Sequence, residues 1–377
     1  MRVLHVFKTY HPDTFGGVER TIHAIAKGCL SHGIQSDVLS LSCDPVVNTV
    51  EFDGHMAYKA KLDLEFASTG FSREVFSKFR DLSAKADVVQ YHFPWPFMDL
   101  LHLMHPPGKP TVVTYHSDIV KQKLLLQLYK PLMHRFLSSV TRIVATSPNY
   151  LESSEVLQRY RDKTKVIPIG LDEADYPRAP QALKDLWKAR FPKPFFLFVG
   201  VLRYYKGLHT LIEAAMGVDA DILIAGEGRI EGELKAQAGS ASLTNVHFLG
   251  AVNDLDKAAL LELCTAFVFP SHLRSEAYGL SLVEAAMFGK PMISCEIGTG
   301  TSFINKHGET GFVVPPENAA ALGRAMRDIA NTPMLVCRFG SQARLRYQAF
   351  MPAKLMINDY ARLYGSLAAR TAYTASH

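Results

Sequence analysis

The sequence predicts an α/β protein of two doubly wound domains in series, on three observations. Short apolar runs rich in branched and aromatic residues alternate with helical patterns along most of the chain. That alternation stops once, at DEADYPRAPQAL (172–183), and then begins again. And 377 residues exceed what one ordinary core accommodates.

In the first half, RVLHVF (2–7) reads as a buried strand and VERTIHAIAKGCLSHG (18–33) as a helix with a glycine stop. QSDVLSLS (35–42) is a strand, REVFSKFRDLSAK (73–85) a helix, and DVVQYHF (87–93) a strand. PTVVTYHS (110–117) is a strand, KQKLLLQLYKPLMHRFLSSV (121–140) is helical, and RIVATS (142–147) and KVIPIG (165–170) are strands. Strands interleaved with helices imply βαβ units and a parallel sheet. Two prolines and several acids make 172–183 the linker candidate.

After it come FFLFVG (195–200, strand), GLHTLIEAAMG (207–217, helix), ADILIAGEG (220–228, strand then loop) and GELKAQAGS (232–240, helix). VHFLGAV (246–252), AFVFPS (266–271), PMISCE (291–296) and GFVVPP (311–316) read as strands. DLDKAALLELC (254–264), the segment from Leu280, NAAALGRAMRDIANTP (318–333) and a last stretch around 352–369 read as helices. In such sheets ligands bind at the carboxyl ends of the strands, beside helix N-termini. Two such domains are expected to face each other across a cleft.

Composition is that of a soluble globular protein, 48% hydrophobic and 20% charged, with a formal net charge of +5. The charge points only weakly to anionic partners, and no nucleic-acid partner is expected. The five cysteines, Cys29, Cys43, Cys264, Cys295 and Cys337, are scattered with no CxxC pair. That disfavours a disulfide framework or a zinc site and favours a reducing, cytoplasmic setting. The opening MRVLHVFKTYHP is not read as a signal peptide, since its apolar run is short and breaks at Lys8. No run of about 18 apolar residues suggests a membrane-spanning helix.

Five stretches carry candidate chemistry. GVLRYYKG (200–207) places Arg203 and Lys206 between a strand end and a helix start, where cations suit a phosphate-bearing ligand. They also read as two solvated surface cations. SEAYGLSLVEA (275–285) sets Glu276 in a loop and Glu284 over a turn into a helix that starts near Tyr278, Gly279 and Leu280. A polyol needs carboxylate acceptors and its phosphate needs N–H donors, and this segment offers both. Surface decoration is the equal alternative. GGVER (16–20) puts Gly16 and Gly17 at a helix N-terminus, phosphate-compatible but also an ordinary turn; it is not GxGxxG, which disfavours a plain dinucleotide-binding dehydrogenase.

TYHSD (114–118) sets His116 and Asp118 at a strand's carboxyl end, suited to hydrogen bonding or acid–base work, or simply a polar turn. His92 and Trp95 in YHFPWPF have a similar location, and Trp95 either stacks on a sugar or packs in the core. Residues 121–137 carry Lys121, Lys123, Lys130, His134 and Arg135 around several leucines. This reads either as a helix with its apolar side on the sheet or as one lying on an anionic membrane surface, with Pro131 as an interruption.

The ordered set GGVER, TYHSD, GVLRYYKG, AGEG and SEAYGLSLVEA resembles the retaining GT-B glycosyltransferases of family four over nearly the whole chain. KTYHPDTFGGVER, GVLRYYKG and EIGTGTSFIN (296–305) further resemble bacterial mannosyl- or rhamnosyltransferases of surface polysaccharide synthesis. The resemblance implies a GT-B fold, with an acceptor-side domain 1–171, a donor-binding domain 172–355 and a final helix, 356–377, crossing back. It implies that Arg203 and Lys206 bind the donor diphosphate, Glu284 the ribose, and Glu276 hydroxyls of the transferred sugar. Backbone N–H groups near Tyr278–Leu280 complete that site. Gly226, Gly228 and the loop 250–252, ending at Val252, frame the base. Gly16 and Gly17 approach the diphosphate, and His116 lies beside the sugar. One departure is visible: many members carry Arg directly after the strand glycine, where this chain has Val201 and places Arg203 two later.

The implied reaction is transfer of mannose or rhamnose from a nucleoside diphosphate, GDP above all, to a glycan or lipid-linked glycan. The leaving phosphate itself helps to deprotonate the acceptor. No metal and no other cofactor are expected. A UDP-sugar donor, a catalytically silent sugar-nucleotide-binding subunit and a nucleotide-sugar epimerase remain the alternatives. Peripheral contact with the inner membrane surface fits both the basic helix and a lipid-linked acceptor.

Overall fold

A computed structural model of the chain describes residues 1–45, 49–66, 69–119 and 123–375. The chain forms two compact units, Met1–Ile169 with Ala353–His377, and Gly170–Pro352.

The first unit holds β1 (Arg2–Val6), β2 (Gln35–Ser42), β3 (Thr49–Phe52), β4 (His55–Lys61), β5 (Leu64–Phe66), β6 (Thr69–Phe71), β7 (Val88–Phe93), β8 (Thr111–Tyr115), β9 (Arg142–Ala145) and β10 (Thr164–Val166). Eight of them form one sheet in the order β10-β9-β8-β7-β1-β2-β4-β3, parallel throughout except for the β3–β4 pair. β5 and β6 pair separately. All six residues of β7 and all five of β8 are buried, as in a parallel sheet covered on both faces.

The second unit holds β11 (Phe195–Val199), β12 (Asp221–Ala225), β13 (Val246–Gly250), β14 (Ala266–Phe269), β15 (Met292–Cys295) and β16 (Gly311–Val314). They form a wholly parallel sheet in the order β13-β12-β11-β14-β15-β16. Every strand therefore ends at the same edge, and the loops that follow β11, β12, β14 and β15 collect there.

Several elements depart from the sequence pattern. β4 (HMAYKAK) carries charges that hide it, yet Lys59 is buried, its Nζ donating to the Tyr10 carbonyl at 2.8 Å. The helices Pro96–Met104 and Pro333–Phe350 each begin with proline at the first turn, where a missing N–H costs nothing. The helix Lys123–Ser139 continues through Pro131 instead of breaking there. Its Met133, Phe136 and Leu137 are buried, while Leu128 is 80% exposed. Lys121 and the side chains of Lys123 and Leu124 lie outside the described residues.

The linker expected at 172–183 is instead part of the second unit. The Asp172 carboxylate accepts from the Ala174 N–H at 3.0 Å, and a helix, Gln181–Arg190, starts inside the stretch. The strand expected at 165–170 is only Thr164–Val166. The last helix, Ala353–Ala375, packs in the first unit, where Tyr360 and Tyr364 are buried. Tyr360 OH lies 2.7 Å from Thr114 Oγ1, and Tyr364 OH donates to Gln90 Oε1 at 3.1 Å.

Candidate functional site

Because β11 and β14 are neighbours and parallel, the loops that leave them must meet. The first carries Arg203 and Lys206, the second Glu276. Lys206 and Glu276 are both 9% exposed, and the Lys206 ammonium donates to Glu276 Oε2. The same oxygen accepts from Ser271 Oγ at 3.4 Å, and Thr299 Oγ1 holds the Glu276 carbonyl at 2.8 Å. Lys206 Nζ also lies 4.5 Å from the centroid of the Phe269 ring, an attraction between cation and ring face. A buried charge needs such partners. Arg203, by contrast, is exposed.

Tyr278 is buried, and Gly279, at φ 97°, forms the N-cap of the helix Leu280–Met287. That left-handed backbone is available to glycine without strain. No side chain caps this helix, so its first N–H groups are directed at whatever occupies the strand edge. Glu284 lies within the helix and is 5% exposed, which rules out its reading as a solvated surface charge. Its Oε1 accepts from Tyr176 OH at 2.9 Å and from Lys257 Nζ at 3.2 Å. These two partners escaped sequence reasoning. Tyr176 sat in the presumed linker, and Lys257 looks like an outward cation on an amphipathic helix.

The glycines of AGEG are explained by close backbone approach. A Cβ on Gly226 would lie 2.0 Å from the Gly200 carbonyl oxygen, and one on Gly228 would lie 2.1 Å from that of Leu202. Leu202 N–H donates to the Glu227 carbonyl at 2.9 Å, and Gly226 N–H to that of Gly250 at 2.7 Å. The loops around Gly226, Gly228 and Gly250 thus buttress the stem of the Arg203–Lys206 loop, with Val252, half-buried, just beyond. Gly228→Ala is expected to cost about 2–3 kcal/mol through overpacking against backbone that cannot rotate away. Gly232→Ala, where nothing lies within 4 Å, serves as the control. Equal thermal midpoints for the two variants would refute this account of the loop.

In the first unit, Gly16 is the N-cap of the helix Gly17–Cys29, but a carboxylate is already there. Buried Glu19 accepts from Thr9 Oγ1 at 2.8 Å and from Thr14 Oγ1 at 2.9 Å. A Cβ on Gly16 would come 2.8 Å from its Oε2. The Gly16–Gly17 turn is therefore ordered by an internal anion.

His116 is one end of a buried chain of three imidazoles that crosses β8, β7 and β1. His116 Nε2 lies 2.9 Å from His92 Nδ1, and His92 Nε2 lies 3.1 Å from His5 Nδ1. The rings stack at centroid distances of 5.2 and 5.4 Å. Burial pushes His116 and His5 down to about 3 and His92 well below its ordinary value. His116 is thus a neutral hydrogen-bonding group. His5 Nε2 is buried without a partner. A bare lone pair there is less costly than an orphaned N–H, so the chain is best run from His5 Nδ1–H outward, leaving an N–H on His116 Nδ1. Asp118 is held by Tyr115 OH at 3.0 Å and Ser154 Oγ at 2.9 Å. Trp95 is fully buried, its Nε1–H donating to the Gly70 carbonyl at 3.1 Å. It is a core residue and no stacking platform.

Residues 15–175 match Glycosyltransferase Family 4, and residues 184–346 match Glycosyl transferases group 1. The D-rhamnosyltransferase WbpZ of Pseudomonas aeruginosa is 56% identical over 353 residues, 94% of this chain and 93% of that protein. The chain belongs to the group 1 glycosyl transferases. The O-antigen chain mannosyltransferase C of Escherichia coli is 48% identical, covering 97% of this chain and 99% of its own. Among solved structures, sucrose-phosphate synthase from Thermosynechococcus elongatus superposes with a TM-score of 0.82 at 20% identity, over 98% of this chain and 99% of that one. The fold of this glycosyl transferase is accordingly GT-B, and its activity is hexosyl transfer. Among the described residues, no helix is long and apolar enough to cross a membrane.

Proposed function

We propose that the chain is a retaining transferase that moves mannose or rhamnose from a GDP-linked donor to a glycan or lipid-linked glycan in surface polysaccharide synthesis. Two of its relatives, a D-rhamnosyltransferase and an O-antigen mannosyltransferase, support the sugar and the setting. One observation carries the chemistry: the buried Lys206–Glu276 pair at a strand edge, beside the uncapped helix start at Gly279.

Breaking the sugar–phosphate bond builds negative charge on the leaving diphosphate. Lys206, Arg203 and the N–H groups of Tyr278–Leu280 lower the barrier by meeting that charge. Glu276 accepts hydroxyls of the transferred sugar. Glu284, fixed by Tyr176 and Lys257, accepts from the ribose, and the loops at Gly226–Gly228 and Gly250–Val252 frame the base. In the first unit, His116 offers a neutral Nδ1–H donor. The leaving phosphate oxygen takes the proton of the acceptor hydroxyl on the same face of the sugar, which retains configuration without a protein nucleophile. The reaction draws on no metal. Exposed Leu125 and Leu128, beside exposed Lys130 and Arg135 on one helix, support peripheral contact with an anionic membrane surface.

The test is a thermal-unfolding panel of GDP-mannose, GDP-rhamnose, UDP-glucose, GDP and UDP. A ligand that binds only the native state raises the midpoint, by about 2.7 kcal/mol of stabilisation at a hundredfold excess over its Kd. GDP-linked sugars are expected to give the largest shifts. Larger shifts from the UDP compounds would assign the base to uracil, and no shift from any would sink the donor site.

A further inference from the structure

His272 presents a problem of its own. It follows β14 in the loop that leads to Glu276, its side chain is 1% exposed, and both ring nitrogens lack a hydrogen-bond partner. Buried polar atoms are rarely left so, and an exception calls for a bound water or ion. Two further donors converge on it. Glu317 Oε1 lies 3.8 Å from His272 Nε2, and the His209 ring lies 5.1 Å from the His272 ring at 88°. One donor atom from each of His209, His272 and Glu317 lies within 4.8 Å of the others.

The arrangement is braced from several sides. Tyr204 stacks on His209 at 5.4 Å and meets His272 edge-on at 4.9 Å. The backbone N–H of His272 donates to the Tyr205 carbonyl at 3.0 Å. Glu317 has a left-handed backbone at φ 54°, a conformation that costs a non-glycine residue free energy and persists where its surroundings impose it.

We propose that His209, His272 and Glu317 form a structural binding site for a divalent transition metal, zinc being the best match. Two imidazoles and one carboxylate are a zinc-type donor set, and a water completes the tetrahedron. Zinc bonds of about 2.0–2.1 Å place ligand atoms about 3.4 Å apart, so the three donors must draw together by about an ångström. Glu317, whose side chain is 61% exposed, has the freedom to supply that movement. The ion joins three segments. His209 is in the first turn after the Arg203–Lys206 loop, His272 precedes Glu276 by four residues, and Glu317 leads into the helix Ala319–Ala330. It therefore clamps the two loops that form the Lys206–Glu276 pair, from outside that pair. This inference is independent of which sugar or base the transferase uses.

The experiment is zinc titration of chelator-stripped protein by calorimetry and thermal unfolding, with X-ray absorption at the zinc edge. Expected are one zinc per chain, a shell of two imidazole nitrogens with oxygen, and a midpoint raised by about 3 °C or more. Magnesium should give no such shift. Glu317→Ala, on an exposed side chain, and His209→Ala should each weaken zinc binding at least about tenfold. A metal-free midpoint near that of the parent would show that each variant folds. Failure to bind zinc, or a zinc affinity in either variant equal to the parent's, overturns the site and leaves His272 to buried water.

Discussion

Glu276→Ala is expected to lower the rate of sugar transfer at least about a hundredfold, and Lys206→Ala to do the same, as befits a contact made to developing charge. The two side chains are each other's buried partners, so they act as a unit. The double variant should lose little more than either single one, because residues of one charged constellation are not additive. Removing Glu276 also strands a buried ammonium, which destabilises by about 3–5 kcal/mol when no partner replaces it. Glu276→Gln keeps an acceptor beside Lys206 and separates the two effects: its midpoint should recover while its rate stays low. The measurement is kcat/KM for the donor alongside the unfolding midpoint. Near-normal turnover in a folded Glu276→Ala would remove Glu276 from the site.

The first unit is expected to unfold in mild acid. Five of its histidines are buried and neutral: His5 and His116 are pushed down to about 3, His55 and His102 to about 4, and His92 well below its ordinary value, all chiefly by burial. Their pKa values in the folded state lie below those of an unfolded chain, near 6.5. The unfolded state therefore binds protons first as pH falls. The stability is fully present above about pH 6.5 and is lost progressively toward about pH 4, each histidine contributing up to about 1.4 kcal/mol per pH unit. Asp99 and Asp37 oppose this, since burial holds both carboxyls above the usual range. They are two groups against five. Hydrogen exchange resolved by peptide at pH 7, 6 and 5 should show protection of β1, β7 and β8 collapsing first. Equal protection at pH 5 and 7 would refute this.

Much of this architecture was legible in the sequence, and the exceptions share a physical cause. Strands such as DVVQYHF and FFLFVG announce themselves because a parallel sheet buries both faces and selects continuous apolar runs. β4 was missed because Lys59 finds its partner in the Tyr10 carbonyl, a contact between residues 49 apart. The glutamates of SEAYGLSLVEA stood out as carboxylates in an apolar segment. Their partners did not. Lys206 meets Glu276 only because β11 and β14 are adjacent, and Tyr176 meets Glu284 across 108 residues. The histidine chain was hidden for the same reason. His5 and His92 fall on separate strands and His116 just past the end of a third, and only the β8-β7-β1 order brings them into line. Spacing along a chain reports what local geometry imposes, whereas strand order is set by packing of the whole unit.

The return of the last helix bears on how the protein is made. The second unit is one continuous segment whose two ends meet: Leu171 N–H donates to the Met351 carbonyl at 3.0 Å, and Tyr347 OH to that of Leu171 at 2.9 Å. The first unit lacks Met356, Tyr360, Leu363, Tyr364 and Leu367, all buried, until those residues have left the ribosome. The second unit, complete in itself, is therefore expected to finish its core before the first, the reverse of the usual order in which N-terminal domains mature first.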